Sequence, residues 1–113
     1  MHELSLAMDL VEQLNEVLIR EKATKVVEIN VVIGAMSGVE KVPFEFAFPE
    51  AAMNTPIEGA VLNIEELPLI LKCSDCNQEA ETDELIMICP RCNSVSVEIV
   101  QGKEFLIKSM EVR

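Results

Sequence analysis

The chain has 113 residues, of which half are hydrophobic and 26% are charged, and this is the composition of a folded globular protein. A net charge of -11 disfavours binding to nucleic acid phosphates and to anionic membranes. No segment has the roughly 18 consecutive apolar residues that span a bilayer, and the N-terminus lacks the pattern of an export signal, so we expect a cytoplasmic protein without nucleic-acid or membrane partners.

The first two predicted elements are a helix and a strand. Apolar residues from Leu4 to Leu18 recur at helical spacing with polar residues between them, which predicts an amphipathic helix over about residues 3 to 22. From Val26 to Ile33 the apolar residues favour a strand, which should end at Gly34.

A second helix is predicted to begin near Pro43, because proline is well tolerated in a first helical turn. Pro49 removes a backbone donor further along, so we expect this helix to kink or restart there. The helix also carries Phe44, Phe46 and Phe48, which we interpret as core residues rather than as a binding groove.

Two further strands are predicted in the second half. A largely apolar run from Val61 to Leu71 should form one strand, with Pro68 on a sheet edge. The block from Phe105 to Val112 should return to the same sheet. A last strand that follows an insertion also allows exchange of strands between two chains, and hence a homodimer.

These elements predict an α+β fold, with two helices on one face of a three-stranded sheet and an inserted zinc-ribbon module. The predicted domains are residues 1–72 plus 103–113 for the α+β part, and residues 73–102 for the module inserted before the last strand.

All four cysteines occur in two C-x-x-C pairs that are separated by twelve residues. Two such pairs can enclose one Zn²⁺ in a tetrahedral site that leaves no position for a substrate, so the predicted zinc is structural. A module of this size cannot build a core unaided, so the metal should contribute much of its folding free energy. The predicted ligands are Cys73, Cys76, Cys89 and Cys92.

Asn77 and Asn93 each follow the second cysteine of a pair, where a metal-binding turn often needs a left-handed residue, and asparagine tolerates that conformation. Two disulfides are a weaker interpretation, since they require an oxidising compartment. Iron bound by the same four thiolates is another alternative that the sequence leaves open.

The N-terminus offers a different metal site. The amine of Met1, the backbone nitrogen of His2 and the His2 imidazole can chelate one ion, and this planar, nitrogen-rich set suits Ni(II) or Cu(II) better than zinc. Glu3 could add a ligand, although an acid in a first helical turn is also favoured by the helix dipole. His2 is the only histidine of the chain.

With the two C-x-x-C pairs, the segments Met1 to Ser5, Ile33 to Glu40 and Ile107 to Val112 resemble the HypA/HybF family over essentially the whole chain. The resemblance implies a metallochaperone that delivers Ni(II) as cargo during maturation of nickel-iron hydrogenase and that holds a structural Zn(II). It implies His2 as the nickel ligand, with Met1 and Glu3 close by. It also implies two partners, a HypB-like nickel-binding GTPase and the hydrogenase large-subunit precursor.

Other functional classes are less well supported. A zinc-ribbon interaction adaptor without metal transfer is the chief alternative, and in that case His2 would be incidental. A thiol redox enzyme would need an exposed cysteine of low pKa, whereas these cysteines are spaced as ligands. The sequence contains no catalytic motif that we can identify, so we expect no enzymatic activity.

Overall fold

A computed structural model describes residues 3–113. It contains two helices, α1 (Glu3–Arg20) and α2 (Lys41–Ala52). The strands are β1 (Val26–Gly34), β2 (Val61–Leu67), β3 (Leu69–Cys73), β4 (Glu79–Thr82), β5 (Val97–Gln101) and β6 (Phe105–Val112).

The strands form two three-stranded sheets, one in the order β2-β1-β6 and the other in the order β4-β3-β5. The single strand predicted from Val61 to Leu71 is therefore wrong in one respect, because Pro68 divides it between the two sheets. Pro68 cannot donate a backbone hydrogen bond, but its carbonyl oxygen accepts one from the Gln101 side chain at 3.1 Å. Pro68 thus separates two strands instead of lying on an edge of one.

Helix α1 agrees with the predicted amphipathic segment and ends two residues earlier, at Arg20. A Schellman motif terminates it: the backbone N–H of Ala23 donates to the Leu18 carbonyl at 2.9 Å, and that of Lys22 donates to Ile19 at 3.2 Å. Lys22 adopts the left-handed φ of 56° that this motif requires. The buried face carries Ala7, Leu10, Val11, Leu14 and Leu18.

Helix α2 continues through Pro49 to Ala52, so the predicted restart is wrong. Pro49 removes one helical hydrogen bond, the one that an N–H at its position would donate to the Glu45 carbonyl, and the helix continues for only three residues beyond it. Phe44 and Phe48 are buried, with ring centroids 6.5 Å apart, as the core interpretation predicted. Phe46 is 80% exposed, so its assignment to the core was wrong. It lies two positions from both Phe44 and Phe48, and two positions along a helix are about half a turn, so its side chain points away from the buried face.

The chain divides into two compact units. The first comprises residues 3–31, 40–64 and 107–113, and in it α1 packs against α2. Its buried side chains come from both helices, from β1 and from Ile57. The α+β class predicted from the sequence is confirmed. The domain bounds at residues 73 and 102 stay a prediction. No helix in the described part of the chain is long and apolar enough to cross a membrane.

The second unit comprises residues 32–39 and 65–106. Gly34 and Gly102 lie against each other in it, and a Cβ on Gly34 would overlap the carbonyl oxygen of Gly102. Backbone hydrogen bonds hold this contact, from Gly34 N–H to the Glu104 carbonyl at 2.7 Å and from Met36 N–H to the Gly102 carbonyl at 2.6 Å. The close approach of the two backbones explains the glycine at position 34.

Candidate metal centre

The four cysteine thiols lie together in the second unit, with all sulfur atoms within 4.8 Å of one another. The Sγ atoms of Cys73 and Cys92 are 3.6 Å apart, and those of Cys76 and Cys89 are 3.7 Å apart. Zn–S bonds of ~2.3 Å in a tetrahedron place sulfur atoms ~3.8 Å apart, whereas a disulfide requires ~2.05 Å. The spacing therefore fits a single tetrahedral ion and not two disulfides.

The two C-x-x-C turns have the same construction. The backbone N–H of Cys73 donates to the Gln78 carbonyl at 3.0 Å, and that of Cys89 donates to the Ser94 carbonyl at 2.8 Å. Each bond spans five residues and closes the turn around its pair of thiols. Each turn thus brings its own two sulfur atoms together through a local backbone bond.

Asn77 and Asn93 occupy equivalent places in the two turns, with φ of 58° and 63°. These are left-handed values, which asparagine tolerates better than most residues do. The local conformation predicted from the sequence for both asparagines is confirmed.

Side chains also join the two turns to each other. The hydroxyl of Ser94 in the second turn donates to the carboxylate of Asp75 in the first, and the same hydroxyl accepts from the Ser96 backbone N–H at 3.0 Å. The backbone N–H and the hydroxyl of Ser74 both donate to the Ser96 carbonyl, at 3.0 and 3.1 Å. No pattern in the sequence indicated the links between the two turns, because they connect residues about twenty positions apart.

The smaller sheet positions the first turn. Strand β3 pairs antiparallel with β4 and with β5, and Cys73, at the end of β3, lies opposite Val97. Leu69 and Leu71 are buried beside it along the same strand. The first thiol of the cluster is therefore fixed by a sheet, while Cys89 is reached by a loop from β4.

Hydrogen bonds and burial separate the pKa values of the four thiols. The backbone N–H of Cys76, 3.5 Å from the Cys73 sulfur, is the main cause that lowers the pKa of Cys73 from 9.0 to about 7. The backbone N–H of Cys92 likewise lowers the pKa of Cys89. The first cysteine of each pair is thus the more readily ionised, and the thiolate is the form that binds metal.

The second cysteine of each pair behaves oppositely. The Ser94 backbone N–H lowers the pKa of Cys92, but burial and the neighbouring thiols outweigh it and raise the value to about 12. At Cys76 the Gln78 backbone N–H is likewise outweighed, so the pKa is raised. Ionising all four thiols would place four negative charges close together. A divalent cation would offset these charges, because it stabilises all four thiolates together.

The arrangement can hold a metal but offers it no open position. Four thiolates complete the tetrahedral coordination of zinc, and such closed sites are structural. Cys73 and Cys89 are each only 1% exposed, whereas Cys76 is half-buried and Cys92 is exposed. The geometry therefore favours a stabilising role for the ion.

The predicted N-terminal site is only partly described. Met1 and His2 lie outside the described residues, so Glu3 is the one member of the predicted set that the structure describes. Glu3 itself is the first residue of α1 and is only 8% exposed. This position agrees with an acid in a first helical turn, and a role as a nickel ligand stays a prediction.

Sequence reasoning also missed a loop of exposed apolar residues immediately before Cys89. Leu85, Ile86, Met87 and Ile88 are consecutive, and each is at least 38% exposed. A signal was present in the sequence, since a module of about thirty residues organised around a metal has little core in which to bury four large side chains.

Comparison with known proteins gives one consistent result. The family model described as "Hydrogenase/urease nickel incorporation, metallochaperone, hypA" matches residues 1–112. The chain is 36% identical over 112 residues to the hydrogenase maturation factor HypA of Shewanella oneidensis, covering 99% of this chain and 95% of the relative. It is 37% identical over 112 residues to the HypA of Aquifex aeolicus, covering 99% and 97%.

Solved structures agree with the sequence relatives. The solution structure of the nickel metallochaperone HypA from Helicobacter pylori matches with a TM-score of 0.71 at 30% identity, over 99% of this chain and 97% of that one. A second solution structure, of a HypA protein, matches with a TM-score of 0.73 at 30% identity, over 100% and 97%. The likeness therefore extends over the whole fold.

Proposed function

Since the chain belongs to the HypA family of nickel-incorporation metallochaperones, which are not enzymes, we propose that it binds Ni(II) at its N-terminus and helps to insert it into a hydrogenase. The acceptor in this proposal is the large-subunit precursor of a nickel-iron hydrogenase during maturation. The observation that carries the proposal is the family match over residues 1–112.

The nickel site that we propose consists of the Met1 amine with the backbone nitrogen and imidazole of His2, and Glu3 is a candidate fourth ligand. These donors form fused chelate rings and suit the planar geometry that Ni(II) accepts. In this proposal, ligands of an acceptor displace those of the carrier one at a time. Protons compete with nickel for the imidazole, whose reference pKa is ~6.5, so affinity should fall in mild acid.

The four cysteines hold a structural zinc in this proposal. Its ligands are Cys73, Cys76, Cys89 and Cys92, whose sulfur spacing fits a tetrahedral ion. When bound, the ion supplies cross-links between the two turns and no reaction chemistry. Cysteines kept as ligands also fit a reducing compartment such as the cytoplasm.

Two partners complete the proposal. A HypB-like nickel-binding GTPase would supply the metal, and the large-subunit precursor would receive it. The support for a hydrogenase client is the name of the relatives, "Hydrogenase maturation factor HypA". The family description also names urease, so a urease is the alternative client.

Calorimetric titration of Ni(II) into zinc-loaded protein with a native N-terminus tests the nickel site. Specific binding that is lost in His2→Ala, and reduced in Glu3→Gln, would support the proposed ligands. As a matched control, an uncleaved N-terminal tag keeps the His2 imidazole but removes the Met1 amine from it, and it should also abolish tight binding.

Equal nickel binding by the wild type and His2→Ala, or none by either, would contradict the proposal. That outcome would favour the alternative of a zinc-ribbon adaptor without metal transfer. Delivery is tested separately, by the nickel content of the purified precursor after incubation with nickel-loaded protein. His2→Ala should leave the precursor without nickel.

A further inference from the structure

Residues 83–88 form an exposed loop that connects strand β4 to Cys89. Four large apolar side chains follow one another in it: Leu85 is 54% exposed, Ile86 45%, and Met87 and Ile88 38% each. Isolated exposed hydrophobic residues are common, but a contiguous apolar group on a protein surface marks a site of interaction.

Both ends of this loop are fixed. At its start, the Glu84 backbone N–H donates to the Thr82 hydroxyl at 3.1 Å, and that hydroxyl donates back to the Glu84 carbonyl at 3.3 Å. At its end, Cys89 is buried and its N–H is bonded to the Ser94 carbonyl. The apolar residues thus lie in a short loop whose two ends are held by hydrogen bonds, and this lowers the conformational entropy that the loop loses when a partner binds.

The side chains of the loop have little core to enter. The buried apolar positions of the second unit belong to other segments, among them Ile33, Leu69 and Leu71. The first residue after the loop, Cys89, directs its sulfur to the metal centre. Exposure of the loop therefore follows from the construction of the module.

The module that carries the loop is acidic in composition. Residues 73–102 contain six acidic residues and one basic residue. Asp83 and Glu84 adjoin the apolar group directly, and both are exposed. A zinc ion with four thiolates would add a formal charge of about -2. A complementary partner must therefore be basic around an apolar centre.

We propose that residues 83–88 form a docking loop for a protein partner whose apolar groove is rimmed by lysine and arginine. The proposal rests on the function proposed above, in which this chain must engage other proteins to receive and deliver nickel. The charge that favours such a groove opposes two other occupants, an anionic membrane and a second copy of this chain. Met87 in this loop suits an adaptable contact, because its side chain is flexible and polarisable.

The test measures binding of zinc-loaded protein to two purified probes, the nickel-binding GTPase and the hydrogenase large-subunit precursor of the same organism. The variant Leu85→Ser/Ile86→Ser should weaken binding to at least one probe by about tenfold or more, because both apolar anchors are lost. Ile86→Val should preserve binding. Wild-type affinity should fall as salt is raised, since the acidic rim is screened.

Val95→Ser is the matched control, because Val95 is 75% exposed in the same module but stands alone between two serines. It should bind both probes as the wild type does. Zinc content and thermal unfolding of every variant establish that the fold is retained. Nickel titration of the double variant should be unchanged, which separates failure of docking from failure of the nickel site.

Unchanged binding of both probes by the double variant, or no binding of either probe by the wild type, would overturn the docking proposal. Loss of a wild-type homodimer in the double variant, measured by light scattering, would instead assign the loop to self-association. Co-sedimentation of the wild type, but not of the variant, with zwitterionic vesicles would assign it to a lipid surface. Either assignment would also overturn the proposal.

Discussion

The carboxylate of Asp75 accepts a hydrogen bond from the hydroxyl of Ser94, and this contact joins the first cysteine turn to the second. Each turn is otherwise closed by its own backbone bond, from Cys73 to Gln78 and from Cys89 to Ser94. The Asp75–Ser94 bond therefore helps to set how the two pairs of thiols face each other.

Replacing Ser94 by alanine should loosen the centre without removing a thiol. We expect a loss of about 2 kcal/mol in the stability of the metal-bound module, because the change removes two hydrogen bonds, one to the Asp75 carboxylate and one from the Ser96 backbone N–H. Transfer of zinc to a chromophoric chelator should be faster than from the wild type. Asp83→Asn, which changes an exposed acid elsewhere in the module, serves as the control, and equal transfer rates for the two variants would contradict the assignment.

The left-handed backbone at Asn93 leads to a second prediction. Asn93→Val should destabilise the module by about 1–2 kcal/mol, because a β-branched residue resists a φ of 63°. Asn93→Gly should be close to neutral at the same position. Thermal unfolding of zinc-loaded protein distinguishes the two, and equal melting temperatures would be inconsistent with conformational strain at this residue.

A third prediction concerns the contact of Gly34 with Gly102. Gly34→Ala should destabilise the protein by at least about 2 kcal/mol, since the added Cβ overlaps a carbonyl oxygen and the backbone must move. Gly38→Ala is a useful comparison, because φ is 83° there but no atom lies within 4 Å of the added carbon. It should cost only the conformational strain, about 1 kcal/mol. Urea unfolding measures both.

Phenylalanines of helix α2 should differ sharply in their contribution to stability. Phe44 is fully buried, so Phe44→Ala should cost about 3–5 kcal/mol, whereas Phe46→Ala should change stability by less than about 0.5 kcal/mol. Denaturant unfolding of the two variants provides the measurement. A comparable loss at Phe46 would mean that another surface covers its ring.

The pKa values of the cysteines predict the direction of the pH dependence of zinc binding. Zinc binds thiolates, so affinity should weaken progressively as pH falls through the pKa of Cys73, about 7, where this thiol regains its proton. The raised pKa of Cys92, about 12, means that zinc binding must displace a proton there even in mild alkali. Competition with a chelator across pH, with metal analysis of the bound ion, measures this. A flat profile below pH 7 would contradict thiolate ligation.

The sequence alone predicted those features of the structure that depend on residues close together in the chain. The C-x-x-C pairs, the left-handed asparagines after them and the period of α1 are local patterns, and each predicted the conformation that the structure has. The fold class followed from the order of these elements.

Only the tertiary structure decided how distant segments are combined. Pro68 divides an apolar run between two sheets, Phe46 faces outward, and the Ser94 hydroxyl reaches Asp75. Strand pairing and burial depend on backbone hydrogen bonds and contacts between residues far apart in sequence, and several partners are compatible with any one short segment. The packing of the whole chain makes the choice among those partners. Only the complete fold buries enough apolar area to offset the conformational entropy that the chain loses on folding.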